Sequence, residues 1–345
     1  MSVVDVGLRR NRQTLGSPVK NRRGGPSLFF NFLSAQLDPR LTFTRASTAT
    51  YIDKNNVRQT AAVDSPRFEY DSLGNLRGLL MEESRTNYFL NSGIPATQTV
   101  TLSVGIYCVW SIGGAVTVTA GTAVVVGLGA SPGVGYANVV FSVTTGGTVQ
   151  VVPSSSPSAW QLENGSYPTS YIPTAGAAVT RAQDILSIGF DSTVSWRTWY
   201  NPLAWSAAVD VMIPNLSFDS GATSRRLFGV TDGTTSNRVM IYVSGDESKL
   251  RAIDVVSGVN STLVGEVTDI TPGTAVRAVV ALNGTNFRAS FNGGGVLSAA
   301  RGIPAPLYYL GIGYAKGSST QLGGYVRSFR LWRRSLTDGE MMRAS

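Results

Sequence analysis

The sequence predicts an all-β protein, built as a hairpin module plus two β-sandwich (jelly-roll) domains with a short C-terminal helix. Three observations lead there. The chain has 38 glycines in 345 residues and is rich in Val, Thr and Ser, a composition that suits strands and turns. No long Leu/Glu/Lys-rich segment repeats with the helical period. Short runs of strand formers recur, separated by Gly, Pro, Asn and Asp. Such a length accommodates two or three domains, and shifts in composition divide the chain at 1–25, 26–92, 93–188 and 189–345.

Residues 1–25 carry Arg9, Arg10, Arg12, Lys20, Arg22 and Arg23 against Asp5 alone, which accounts for most of the +8 net charge. With no apolar period, this segment cannot bury enough surface to offset its ordering entropy, so it is expected to be extended or disordered by itself. It is either a solvated tail or a basic arm that docks on an acidic or strand-edge surface. Because the basic excess is concentrated at this end and the rest of the chain is only mildly basic, nucleic acid is not the expected partner.

In 26–92, Ser27 to Leu33 concentrates aromatics, expected in a core or an interface. Two hairpins follow. Thr50-Tyr51-Ile52 precedes the turn Asp53-Lys54-Asn55-Asn56, and Arg67-Phe68-Glu69-Tyr70 precedes Asp71-Ser72-Leu73-Gly74-Asn75. Asp and Asn reverse the chain by bonding their own backbone, and Gly74 adopts positive φ without a Cβ to obstruct it. The run 76–83 is apolar with a charged end, and Arg85-Thr86-Asn87 closes the unit.

In 93–188, Val/Thr-rich runs near residues 99–103, 116–119, 123–126, 138–143 and 147–152 have the spacing of a sandwich, which a jelly roll would close. From 189 to 345 the runs lengthen and alternate, at 207–214, 226–230, 238–243, 249–256, 275–282 and 286–292. Alternation buries one face of each strand, as in two packed sheets. Thr337 with Glu340 three residues later is a capping-box signature for a terminal helix.

Several stretches together resemble a known family. Phe43-Thr44-Arg45-Ala46-Ser47-Thr48-Ala49-Thr50-Tyr51, Pro66-Arg67-Phe68 and Gly78-Leu79-Leu80-Met81-Glu82-Glu83-Ser84-Arg85-Thr86-Asn87 are similar to a module of bacteriophage virion proteins described as tail-fibre, head-fibre or minor structural proteins. The end of the second region, Trp160 to Thr174 followed by Ala178 to Asp184, is similar to the last strand of carbohydrate-binding-module-like jelly rolls in phage fibres. The stretch Gly323 to Met341 resembles the closing strand and helix of laminin-G-like, concanavalin-A-like domains. The resemblance implies a virion location, other phage virion proteins as partners of the basic arm, host surface polysaccharide as ligand, and a homo-oligomer such as a trimer. No coiled-coil heptads accompany it. A capsid or tail decoration protein without ligand, and a polysaccharide depolymerase, are the alternatives.

The residue inventory points away from catalysis. Histidine is absent, which removes the commonest general base and metal ligand. Cys108 is the only cysteine, so no internal disulfide forms, and it lies in a strand-like run where a small buried hydrophobe is expected. The Glu-x-Asp-x-Glu pattern of concanavalin-A-like glycan hydrolases is missing: Asp254 stands alone on its strand, and Glu82 and Glu83 are adjacent, hence on opposite faces if extended. No enzyme and no cofactor are expected. Calcium has only Asp210, Asp219, Asp232 and Asp246 to suggest it, and turn or surface roles explain those better. No secretory signal opens the chain, and Ala115 to Ala130 is too short and interrupted to span a bilayer, so no membrane insertion is expected.

The remaining candidate is an aromatic group, Trp196, Trp199, Tyr200 and Trp205, between the two predicted sandwiches. Stacked rings cover the apolar faces of sugars, so these four are the expected glycan platform, with interdomain packing as the other reading. Trp110, Tyr136, Trp160, Tyr167 and Tyr171 offer rings too, with core packing the expected role for most.

Overall fold

A computed structural model describes residues 24–131, 136–189, 200–216, 224–244, 249–265, 270–301, 307–316 and 320–345. The protein is all-β, with a single α-helix among the described residues, Asp338–Ala344. That helix carries the expected capping box: Thr337 accepts from the Glu340 amide while the Glu340 side chain accepts from the Thr337 amide.

The long-strand sandwich packs an eight-stranded sheet on a seven-stranded one. The axis of the first sheet is Gly324–Trp332. One edge of this strand pairs along most of its length with Ala204–Met212. The other edge is shared by two N-terminal strands: Leu79 to Met81 pair with its first residues and Leu28–Asn31 with its last. In the second sheet, Ile185–Gly189 bridges Thr42–Thr44 and Tyr309–Ile312. The 26–92 segment thus supplies strands to both layers of the C-terminal sandwich. Alternation in Leu28–Asn31 makes this possible, since Leu28, Phe30 and Phe32 enter the sandwich core while Phe29 is 51% exposed on the other face.

The hairpins form where expected. Ala49–Ile52 pairs with Arg58–Ala61, and Phe68–Tyr70 with Leu76–Met81. Both turns use the same device: the Asp53 carboxylate accepts the amides of Asn55 and Val57, and that of Asp71 accepts those of Leu73 and Asn75.

A smaller sandwich, of three- and four-stranded sheets, has its own core around Phe89, Val109, Phe141, Trp160 and Leu162. Its strands include all five expected Val/Thr runs. The chain enters it through Arg85–Asn87 and leaves through Val179–Arg181, and these two short strands pair antiparallel. Entry and exit side by side let a whole sandwich be inserted without disturbing its host. Cys108 lies fully buried in the strand Gly105–Ile112, where burial pushes its thiol well up.

Candidate functional site

The resembling sequence words converge in space at the joint between the two sandwiches. Five side chains from distant segments, Arg45, Arg67, Glu82, Arg181 and Asp184, form one buried charge network. Arg67 is its hub. Its Nη2 meets Asp184 Oδ2 at 2.6 Å and its Nη1 meets Glu82 Oε2 at 2.8 Å. Arg45 Nη1 reaches the other Asp184 oxygen at 3.1 Å, and Arg181 Nη1 meets Glu82 Oε2 at 2.6 Å. Backbone and hydroxyl groups complete the coordination: Ser170 donates from its amide and hydroxyl to Glu82, the Glu82 amide donates to Asp184, and Arg45 donates to the carbonyls of Ser47 and Ala62.

Three guanidiniums against two carboxylates leave a local positive excess. Burial would raise the Glu82 carboxyl, but the Arg181 and Arg67 charges and the Ser170 donors override it and hold it at about 2. For Arg45 burial prevails and lowers its pKa, despite the attraction of Asp184. The adjacent Glu83 faces a separate set: it pairs with Arg85 and accepts from the Tyr167 hydroxyl. The guanidiniums of Arg85 and Arg225 both lie over the Tyr167 ring, at 4.9 and 3.9 Å.

Glu82 makes stability sensitive to acid. Its carboxyl is depressed on folding, so its contribution is complete above the unfolded value near 4.5 and is lost as pH falls from there through about 2. That gap is worth about 3 kcal/mol. Glu69 and Glu163 act in the opposite sense, because burial raises both carboxyls and their protonation favours the folded state. Denaturant midpoints should therefore hold or rise down to about pH 5, as Glu69 and Glu163 take up protons, and drop steeply below about pH 4 as Glu82 does; a midpoint that does not fall between about pH 4 and pH 2.5 would refute the Glu82 account.

Beside this network a cleft of about 430 Å³ opens between the hairpins, the inserted sandwich and the long-strand sandwich. Tyr51 and Tyr70 enter it from the two hairpins and Tyr136 from the inserted sandwich, all three half-buried. Tyr136 is backed by Trp110, stacked at 4.1 Å and 10°. Arg58 stands at the rim over the Tyr171 ring, at 4.6 Å. Deeper, Tyr325 donates to Glu69 at 2.8 Å and accepts from Arg77 Nη1 at 3.2 Å. Burial, then the Glu82 charge, raise the Glu69 carboxyl against the pull of its hydrogen bond from Tyr325.

Of the expected glycan platform, the two described members are in the core. Trp196 and Trp199 lie outside the described residues. Tyr200 and Trp205 are 2% and 1% exposed, packed against each other in the sandwich core with ring centroids 5.7 Å apart. A ring with both faces covered has none for a sugar, so these two residues are corrected to core. Trp110 and Trp160 are core as well; Tyr167 and Tyr171 are buried, Tyr136 is half-buried, and all three line the cleft. The arm residues Arg9, Arg10, Arg12, Lys20, Arg22 and Arg23 also lie outside the described residues.

The described acidic candidates are occupied. Asp254 is buried in a two-pronged pair with Arg301 at 2.8 and 2.9 Å. Asp210 pairs with Arg277 and Arg327, and Asp232 closes a turn with Thr234 and Asn237. Asp219 and Asp246 lie outside the described residues. Among the described residues no three His, Cys, Asp or Glu gather to hold a metal ion, and no helix is long and apolar enough to cross a membrane.

No family model matches the chain, and no curated protein matches it in sequence. Among solved structures, the chain is similar to the CBM40 of the Ruminococcus gnavus IT-sialidase, at 11% identity over 46% of this chain and 91% of that one, with a TM-score of 0.34. Domain 4 of AbnA, a GH43 extracellular arabinanase from Geobacillus stearothermophilus, solved with arabinotriose, is 12% identical over 47% and 73%, with a TM-score of 0.34. The heptameric SAP-like pentraxin of Limulus polyphemus is 9% identical over 76% and 82%, with a TM-score of 0.29. Likenesses this distant carry no weight for ligand or role.

Proposed function

We propose that the protein is a bacteriophage virion component, a fibre or surface appendage, that lodges host surface glycan in the cleft between its sandwiches. The single observation behind the binding reading is the cleft itself, where three half-buried tyrosines from two domains face one space with polar groups around them. Few precisely placed polar groups amid aromatic walls suit a small-ligand or sugar site. The virion reading rests on the resemblance of the 43–51, 66–68 and 78–87 segments, whose charged residues are the ones that lock the joint. In this reading the basic arm attaches the protein to other virion proteins, and the assembled form is a homo-oligomer. Binding without catalysis fits the state of the acids: Glu82 Oε1 accepts from the Ser170 amide and Oε2 is held by the Ser170 hydroxyl, Arg67 and Arg181, so it is not a free nucleophile for a depolymerase.

The test pairs Tyr51→Ala with Tyr70→Ala. Both side chains are half-buried at the cleft and outside the sandwich cores, so the double variant should stay folded with a modestly lowered melting temperature and lose about tenfold or more of its affinity for host polysaccharide. Undiminished binding, or destabilisation alone, contradicts the cleft reading. Immunogold labelling of intact particles with antibody to residues 200–345 addresses the location: label at the tail tip supports a receptor-binding fibre, label over the head a decoration role, and unlabelled particles contradict a virion role.

A further inference from the structure

We infer that the cleft is selective for acidic glycans, holding the carboxylate of a uronic or sialic acid between Arg58 and Arg77 while the sugar ring rests on tyrosine. This deepens the glycan reading and rests on it. Four formally charged side chains line the cleft: Arg58, Arg77, Glu69 and Glu82. The two acids are committed inward. Glu82 is consumed by the buried guanidiniums and Ser170. Glu69 accepts from the Tyr325 hydroxyl and from the Ile52 amide at 3.2 Å, and burial favours its neutral form.

The two cations are not so committed. Among the described residues neither Arg58 nor Arg77 makes an ion pair with a carboxylate, in contrast to Arg45, Arg67, Arg85 and Arg181 close by. Arg77 spends one donor on the Tyr325 oxygen, and Arg58 lies over the Tyr171 ring in the same cleft as Tyr136. A guanidinium has five donors in a planar fork, so each retains donors for a ligand. Arg58 begins the second strand of the first hairpin and Arg77 lies in the second strand of the second hairpin, and both line the one cleft that Tyr51 and Tyr70 also enter. Cations with donors to spare beside aromatic faces match a sugar bearing a carboxylate: the rings take its apolar face and the guanidiniums its charge.

The experiment uses the full chain on oligosaccharides containing glucuronate, galacturonate or sialate, each presented beside its carboxyl-reduced form. At least one acidic member should bind about tenfold or more tighter than its reduced partner, the contribution expected of a charge-assisted contact. That preference should shrink as salt rises. Arg58→Gln, an exposed rim change, should bring the acidic-to-reduced affinity ratio close to one, and Arg77→Gln should act in the same direction. Tyr51→Ala with Tyr70→Ala should weaken both forms alike. Equal binding within every pair, or a preference that survives both arginine changes, overturns the acidic selectivity while leaving the cleft as a glycan site. Absence of binding to every member, in either form, overturns both.

Discussion

Arg67→Met should destabilise the protein by about 3–5 kcal/mol, the usual cost of removing one partner from a buried charge network. The substitution keeps most of the side-chain volume but strips Asp184 and Glu82 of a shared cation at a place that water does not reach. It also leaves the Thr50 carbonyl without its 3.0 Å donor. Arg67→Lys should rescue little, because a single ammonium cannot span two carboxylates as the guanidinium fork does. Denaturant midpoints at unchanged slope give the number. A loss under about 1 kcal/mol would mean that the network behaves like a surface pair and does not lock the joint.

Gly78→Ala should cost about 3 kcal/mol or more, through two independent penalties. Gly78 has φ +137, and an added Cβ would stand 2.5 Å from the Val326 carbonyl oxygen. The backbone strain accounts for about 1–3 kcal/mol, and the contact with a backbone that cannot yield adds about 1–3 kcal/mol of overpacking. The site matters because here the second hairpin pairs with Gly324–Trp332, the strand that carries both N-terminal segments. Gly127→Ala is the control: its φ is not positive and nothing lies within 4 Å of the added atom. Equal stability of the two variants would contradict the close approach.

Much of the local structure was legible, for local reasons. Period-2 alternation located the long strands, Asp53 and Asp71 announced their turns, and Thr337 with Glu340 announced the helix. Each of these is decided by residues within five positions of one another. Long-range partnership was not legible. Alternation in Leu28–Asn31 says that one face is buried but not that the strand's edge pairs with one three hundred residues later. The same limit applies at the aromatic group, where Trp205 and Tyr200 have the composition of a platform and the surroundings of a core. Position between two predicted domains suggested exposure; the strand Ala204–Met212, central in its sheet, buries what it carries.

The charge network and the cleft were missed for a related reason. Arg45, Arg67, Glu82, Arg181 and Asp184 have no common spacing, because they meet only where the chain, returning from the inserted sandwich, lies back against the hairpin module. The available signal was chemical: only 14% of the chain is charged, yet isolated charges or charge pairs recur beside apolar or small residues, as in Phe43-Thr44-Arg45-Ala46 and Leu80-Met81-Glu82-Glu83. A charge set among hydrophobes asks for a buried partner. The cleft tyrosines gave a weaker signal, since Tyr51 and Tyr70 each sit just before a hairpin turn and so share one end of the module.

The central claim is that glycan occupies the space shared by the hairpins and the two sandwiches. Amide hydrogen exchange of the full chain, with and without host surface polysaccharide, tests it most directly, because protection reports where backbone opening is suppressed. The account predicts slowed exchange confined to segments around 50–58, 68–77, 136–141 and 167–171, with the strands around Trp205 unchanged. Slowing centred on another surface, or unchanged exchange at saturating polysaccharide, would contradict it.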